Sequence, residues 1–184
     1  MSRLFVLSVS LLFFILFGSI GLKSIFSEEA KANACDVTVY LNDPDKSGTN
    51  VRDKPKGKVV KQLPKQDDSN FETGIYLHIK ASKDNWLQIE EVYDTNDSSY
   101  KNTWISGKLA ATGTANYDPS VALNIYEKPS TNSKFIQKVY EEIQITVLGC
   151  SGKWVYGTGK AGGKIITGWI EPEKQCSSAV TNCN

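Results

Sequence analysis

Leu123-Asn124-Ile125-Tyr126-Glu127-Lys128-Pro129 follows Asp118-Pro119, just as Asn50-Val51-Arg52-Asp53-Lys54-Pro55 follows Asp43-Pro44. The two stretches are offset by 74 to 75 residues. Working outward, Asn85-Trp86-Leu87-Gln88-Ile89 parallels Lys153-Trp154-Val155-Tyr156, and Thr103-Trp104-Ile105 parallels Gly168-Trp169-Ile170, with the offset falling to 68 and then to 65. Three anchors in one order define an internal repeat. The shrinking offset assigns extra loop residues to the first copy, and residues 67–73 and 94–102 are polar enough to be those insertions.

Within each copy the periodicity is that of strands. Ile143-Gln144-Ile145-Thr146-Val147 alternates apolar and polar side chains, as do Tyr76-Leu77-His78-Ile79-Lys80 and Trp86-Leu87-Gln88-Ile89-Glu90, so one face of each is expected to be buried. Residues 149–152 and 161–163 carry the glycines that punctuate turns, and residues 135–142 read as a strand followed by a turn. Short strands at this spacing predict an all-β chain, a sandwich or small barrel.

The second copy, with Leu123-Asn124-Ile125-Tyr126-Glu127-Lys128-Pro129-Ser130, then residues 143–148, then Gly152-Lys153-Trp154, then Thr167-Gly168-Trp169-Ile170, resembles the bacterial SH3 domain. The first copy keeps Asn50-Val51-Arg52, Pro55, Trp86 and Trp104-Ile105, but has Asn102-Thr103 where that family usually places Gly before the tryptophan. The resemblance implies two tandem small SH3-like β-barrels, residues 36–112 and 113–176, followed by a tail, residues 177–184. It also implies a binding role toward cell-envelope material such as peptidoglycan peptides. The groove would lie between the long first loop and the loop after Leu148 of each copy.

Ahead of the repeat, residues 4–22 hold only apolar, Ser and Gly residues between Arg3 and Lys23. Residues 1–34 read as a signal peptide cleaved just before Cys35, with an uncleaved N-terminal membrane anchor as the alternative. Either predicts a secreted or periplasmic location for the remainder. Ala32-Asn33-Ala34 before Cys35 has no Leu, and has an Asn where a lipoprotein site has a small residue. Removing Arg3, Lys23 and Lys31 from the 21 basic residues, and Glu28 and Glu29 from the 20 acidic ones, leaves 18 of each. Such balance gives no electrostatic drive toward nucleic acid or an anionic membrane. The expected partner is a cell-wall peptide or glycan, or an envelope protein; a membrane enters only if the N-terminal segment is retained.

Four cysteines in an exported chain predict disulfides. In a simple meander the strands ending near Leu148 and Ile170 run the same way, which favours Cys150 with Cys176 and leaves Cys35 with Cys183. Zinc is disfavoured, because the chain has no Cys-x-x-Cys and a single histidine, His78, with no cysteine near it in sequence. Alternation puts His78 on the face opposite Leu77 and Ile79, a surface position rather than the base of a nucleophilic triad. Glu90-Glu91 and Glu141-Glu142 are adjacent strand residues that point to opposite faces, so neither pair forms one acid site. Asp43-Pro44-Asp45-Lys46-Ser47-Gly48 has the oxygen spacing of half a calcium loop, but Lys54 occupies the twelfth position, so a turn is the better reading. No enzyme, cofactor or metal is predicted. Trp86, Trp104, Trp154 and Trp169 recur at matched places, as barrel core and rim. Tyr126, on the face away from Ile125, is expected to join Trp154 and Tyr156 in an aromatic ligand-binding surface, while Arg52 stands at its place in the first copy.

Overall fold

The computed structural model describes residues 31–45, 47–64, 74–93, 95, 97–118 and 120–177. Residues 1–30 of the expected leader, the insertion at residues 67–73, Cys183 and all of the tail but Ser177 lie outside the described residues, whereas residues 31–34, expected to end that leader, are described. The all-β expectation holds. The described residues form thirteen strands in one open antiparallel sheet: β1 (Asn33–Leu41), β2 (Asn50–Arg52), β3 (Val59–Gln62), β4 (Tyr76–Lys83), β5 (Trp86–Val92), β6 (Trp104–Ser106), β7 (Ala110–Thr114), β8 (Leu123–Tyr126), β9 (Phe135–Val139), β10 (Gln144–Ser151), β11 (Trp154–Ala161), β12 (Lys164–Ile170) and β13 (Gln175–Cys176). None of the helical turns is longer than one 3-10 turn, and no helix among the described residues is long and apolar enough to cross a membrane.

Strand order runs β3-β2-β6-β5-β4-β1-β7-β10-β11-β12-β8-β9, with β13 also on β7. The sequence repeat reappears as a repeat of pairings. In the first half β1 pairs β4, β4 pairs β5, β5 pairs β6, β6 pairs β2 and β2 pairs β3. In the second half β7, β10, β11, β12, β8 and β9 pair in the same succession. Each half then passes through a 3-10 turn, Gly107–Leu109 or Pro172–Lys174, into a strand that returns to its first one, β7 onto β1 and β13 onto β7. Strand β7 therefore closes one half and opens the other, so residues 110–116 are not a free linker.

Local sequence explains the hairpins. Asp84 and Asn85 both have positive φ (51° and 63°), and so do Gly162 and Gly163 (54° and 79°). Two such residues make the tight turn whose twist suits a two-residue hairpin, and they set the registers Lys83↔Trp86 and Ala161↔Lys164. The alternation read from sequence is seen in burial: Leu77, Ile79, Leu87, Ile89, Ile145 and Val147 are buried while His78, Gln88 and Thr146 are half-buried. Two cores result. One gathers Leu123, Ile125, Ile145, Ile166 and Ile170 within the second half. The other is built on the first half but also takes in Val147, Cys150 and Val155.

That crossing corrects the disulfide expectation. Cys150 bonds Cys35, with their Cα atoms 5.5 Å apart, and not Cys176. The chain after Ile170 does not stop at the meander's end: it carries Cys176 across to Gly113 on β7, while the far end of β10 runs over the first half to where β1 begins. Cys176 is itself disulfide-bonded, and the pairing of Cys35 with Cys183 falls with the first. Around the Cys35–Cys150 bond, Asp36 N donates to Gly152 O and Gly152 N to Ala34 O, both at 2.8 Å. Ser82 Oγ accepts from Cys150 N (3.0 Å) and donates to Cys150 O (3.1 Å).

Candidate functional site

The Asp84-Asn85 turn and the Gly152-Lys153 turn between β10 and β11 place a tryptophan at the start of β5 and of β11, and the neighbouring strands arrange what surrounds it. In the second half Tyr126, at the end of β8, faces Trp169 on β12, and Trp169 faces Tyr156 on β11. Trp154 lies two residues before Tyr156 and so on the same face. Tyr126 and Trp154 meet edge to face, ring centroids 5.6 Å apart and planes at 81°. Tyr156 and Trp169 are tilted at 47° with centroids 5.2 Å apart. The structure thus brings all three predicted site residues together and adds Trp169, which the sequence reading had assigned to core or rim.

One detail differs from expectation. Tyr126 is only 7 % exposed, because Trp154 closes over it from the neighbouring hairpin. Its hydroxyl accepts from Asn124 Nδ2 at 3.3 Å, and Asn124 Oδ1 is buried without a partner. Tyr126 is therefore a wall that holds Trp154 upright, and the half-exposed rings of Trp154, Tyr156 and Trp169 are what a ligand can touch.

The first half repeats the arrangement with different chemistry. Arg52, at the end of β2, faces Trp104 on β6, and Trp104 faces Gln88 on β5. The Arg52 guanidinium lies 5.8 Å over the Trp86 ring, a cation–π contact where Tyr126 makes an aromatic one. Arg52 Nη1 also donates to Gly57 O at 2.6 Å, which ties the arginine to the β2–β3 turn. Trp104 is 8 % exposed, leaving Trp86 as the accessible ring.

The other motifs resolve as local structure. Asp43 Oδ1 accepts from Asp45 N (2.9 Å), Asp43 Oδ2 from Thr49 Oγ1 (2.6 Å), and Asp45 Oδ1 from Ser47 N (3.0 Å). In the second copy Asp118 Oδ1 accepts from Ser120 N (2.8 Å) and Ser120 Oγ (2.7 Å). These are Asx-type turns that spend the carboxylates on the backbone. Among the described residues no cluster of His, Cys, Asp and Glu is arranged to hold a metal. His78 Nε2 stands 3.0 Å from Asp36 Oδ1 across β1 and β4, a half-exposed pair. Glu141 Oε1 accepts from Gly162 N at 2.5 Å.

Glu90 is bound by Lys101 and, at 2.6 Å, by Lys80. The Lys101 hydrogen bond first, and the Lys80 one next, pull its pKa from 4.5 down to about 2. A depressed carboxylate pKa contributes stability that is present above the unfolded value and is lost as pH falls from there through the folded value. Melting temperatures of the wild type and Glu90→Gln should accordingly differ at pH 7 and converge between pH 4.5 and about 2. The gap should be small and shrink with salt, since Glu90 is solvent-screened. A gap unchanged at the acid end would remove Glu90 from the pH response.

No protein-family model matches the sequence, and no curated protein matches it. Among solved structures the chain is similar to NlpC2 from Trichomonas vaginalis, 18 % identical with a TM-score of 0.33 over 81 % of this chain and 51 % of that one. It is also similar to NlpC1 from the same organism, 16 % identical with a TM-score of 0.34 over 84 % of this chain and 50 % of that one. The chain thus spans about half the length of these proteins.

Proposed function

We propose that this chain is an exported, non-catalytic binding protein made of two SH3-like units that recognise cell-envelope material such as peptidoglycan peptides. Two features support the SH3-like reading: the repeated succession of pairings and the closing 3-10 turn that returns each half to its first strand. The observation that carries the binding reading is the duplicated cluster, Arg52, Trp86 and Trp104 against Tyr126, Trp154 and Trp169. Building the same constellation twice, each time with a half-exposed tryptophan, suits a ligand that itself repeats. Aromatic faces of this kind stack on sugar rings and peptide planes at little entropic cost. Because β7 is shared, the two clusters are held at a fixed separation, and avidity arises where a polymer presents two sites at that spacing.

Oxidised protein beginning at Cys35 should pellet with insoluble peptidoglycan and be displaced by soluble wall fragments. The double variant Trp86→Ala, Trp154→Ala should lower the bound fraction at least about ten-fold, and Tyr156→Ala should weaken it in part. Near-ultraviolet circular dichroism verifies that each variant keeps its packing. Full retention of binding in a folded double variant, or no pelleting by the wild type, would sink this reading. A protein-assembly role is the second reading, and a different surface favours it: the open ends of the sheet.

A further inference from the structure

Strands β3 and β9 terminate the strand path and occupy the same place in the two repeats. Each is paired on one side only among the described residues, which leaves alternate backbone N–H and C=O groups along its outer edge without a strand partner. Each also exposes two consecutive apolar side chains, Val59 (44 %) and Val60 (48 %) on β3, Phe135 (52 %) and Ile136 (53 %) on β9. Edge strands are ordinarily blunted by charge, proline or brevity. Lysines flank both edges here, yet the apolar pairs stay uncovered, and at β9 the exposed surface continues through Tyr140 (53 %).

The two ends differ in free charge. Lys61 of β3 is paired with Asp97 and lies over the Tyr100 ring. At β9, Lys134 and Lys138 are exposed and have no carboxylate partner among the described residues. Lys138 Nζ sits 5.7 Å from the Phe135 ring centre, so charge and apolar surface lie side by side. Beyond the strand's end a groove of about 420 Å³ runs between Lys138, Tyr140 and the β11–β12 tip at Gly162 and Lys164, with the Glu141 carboxylate bonded to Gly162 N.

We infer that the outer edge of β9 is a docking site for an extended acidic peptide segment of a partner protein, which adds as one more strand to the sheet. Backbone pairing supplies affinity and the alternating side chains supply selection. Apolar side chains of the segment rest on Phe135 or Ile136, and its carboxylates meet Lys134, Lys138 and Lys164. Charge argues against a second copy of this chain as the occupant: edge-to-edge pairing of β9 with β9, or with the lysine-flanked β3, would set lysines against lysines. This edge adjoins the second tryptophan cluster, since Phe135 pairs Tyr126, but its unpaired backbone and its lysines stand whether or not the clusters bind wall material.

The probe is a fluorescein-labelled peptide, Glu-Val-Glu-Ile-Glu-Val-Glu-Thr, titrated with oxidised protein and read by anisotropy. Two controls accompany it: the peptide with Lys for Glu, and the acidic peptide N-methylated at alternate residues, which keeps the charge but cannot pair along that edge. The acidic peptide should bind at least about ten-fold more tightly than either control. Lys134→Glu with Lys138→Glu should cost a similar factor. Equal affinity for the N-methylated peptide would reduce the effect to diffuse charge attraction and overturn strand addition, and the peptide controls need no variant to fold. Concentration-dependent dimerisation that excludes the peptide would assign the edge to a second copy and overturn the acidic-partner assignment.

Discussion

Replacing Cys35 and Cys150 together by serine is expected to destabilise the chain by about 2–5 kcal/mol. The bond closes a loop with a sequence separation of 115 residues, and the chain-entropy model puts a loop of that length near the top of the range, at about 5 kcal/mol. Native strain and residual structure in the unfolded chain lower the yield, which sets the wider range. The loss should fall on one place. Cys150 is fully buried in the core of the first half, and its backbone is held by Ser82 on β4, so the bond reinforces a junction already knit by hydrogen bonds. Urea unfolding should move to lower denaturant in the double variant, and amide exchange should quicken first along residues 33–36 and 149–152. Peptide mapping without reductant should recover the Cys35 peptide linked to the Cys150 peptide. Recovery of Cys150 linked to Cys176 would contradict the strand crossing described above.

How much of this was legible beforehand follows from what sequence patterns encode. Alternation reports which side chains share a face, and it identified the buried sets Leu77 with Ile79 and Leu87 with Ile89, because both lie within single strands whose partners are adjacent in sequence. The anchors around Asn50 and Asn124 revealed the repeat, which returns as a repeat of pairings. Contacts between elements distant in sequence leave no such mark. Nothing in the spacing of Cys150 says that β10 overruns its own half to reach β1, and a planar meander therefore gave the wrong partner. Tyr126 shows the same limit on a smaller scale. Its facing away from Ile125 was readable, but its contact with Trp154 joins β8 to β11, two strands that are not paired with each other. Residues 135–142 were readable as a strand and a turn, but not the exposure of Phe135 and Ile136, which follows from β9 being the last strand of the path.

The junction also makes Gly107→Ala costly, by about 3 kcal/mol, or a fall of about 6–12 °C in melting temperature for a chain of this size. Gly107 opens the 3-10 turn Gly107–Leu109, and its amide donates to Asn85 O at 2.8 Å. A methyl group there would lie 2.3 Å from Val147 O, 3.0 Å from Asn85 O and 3.3 Å from Leu148 Cα. Every one of these is a backbone atom, so no side chain can swing away. Relief requires β10 to retreat from the first half, against the Val147↔Gly157 register and the packing of a fully buried Val147. Gly149→Ala is the matched control on the same strand, since its methyl would meet Ser82 Oγ at 3.5 Å, an ordinary contact, and its effect should be slight. The decisive comparison is Gly107→Ala in the Cys35→Ser, Cys150→Ser background. Both changes loosen the contact of β10 with the first half, so once the disulfide is gone the strand can retreat more cheaply, and the glycine substitution should cost less by about 0.5–3 kcal/mol than it does alone. Strict additivity would mean that the turn and the disulfide act on separate parts of the fold, and the shared junction would have to be abandoned.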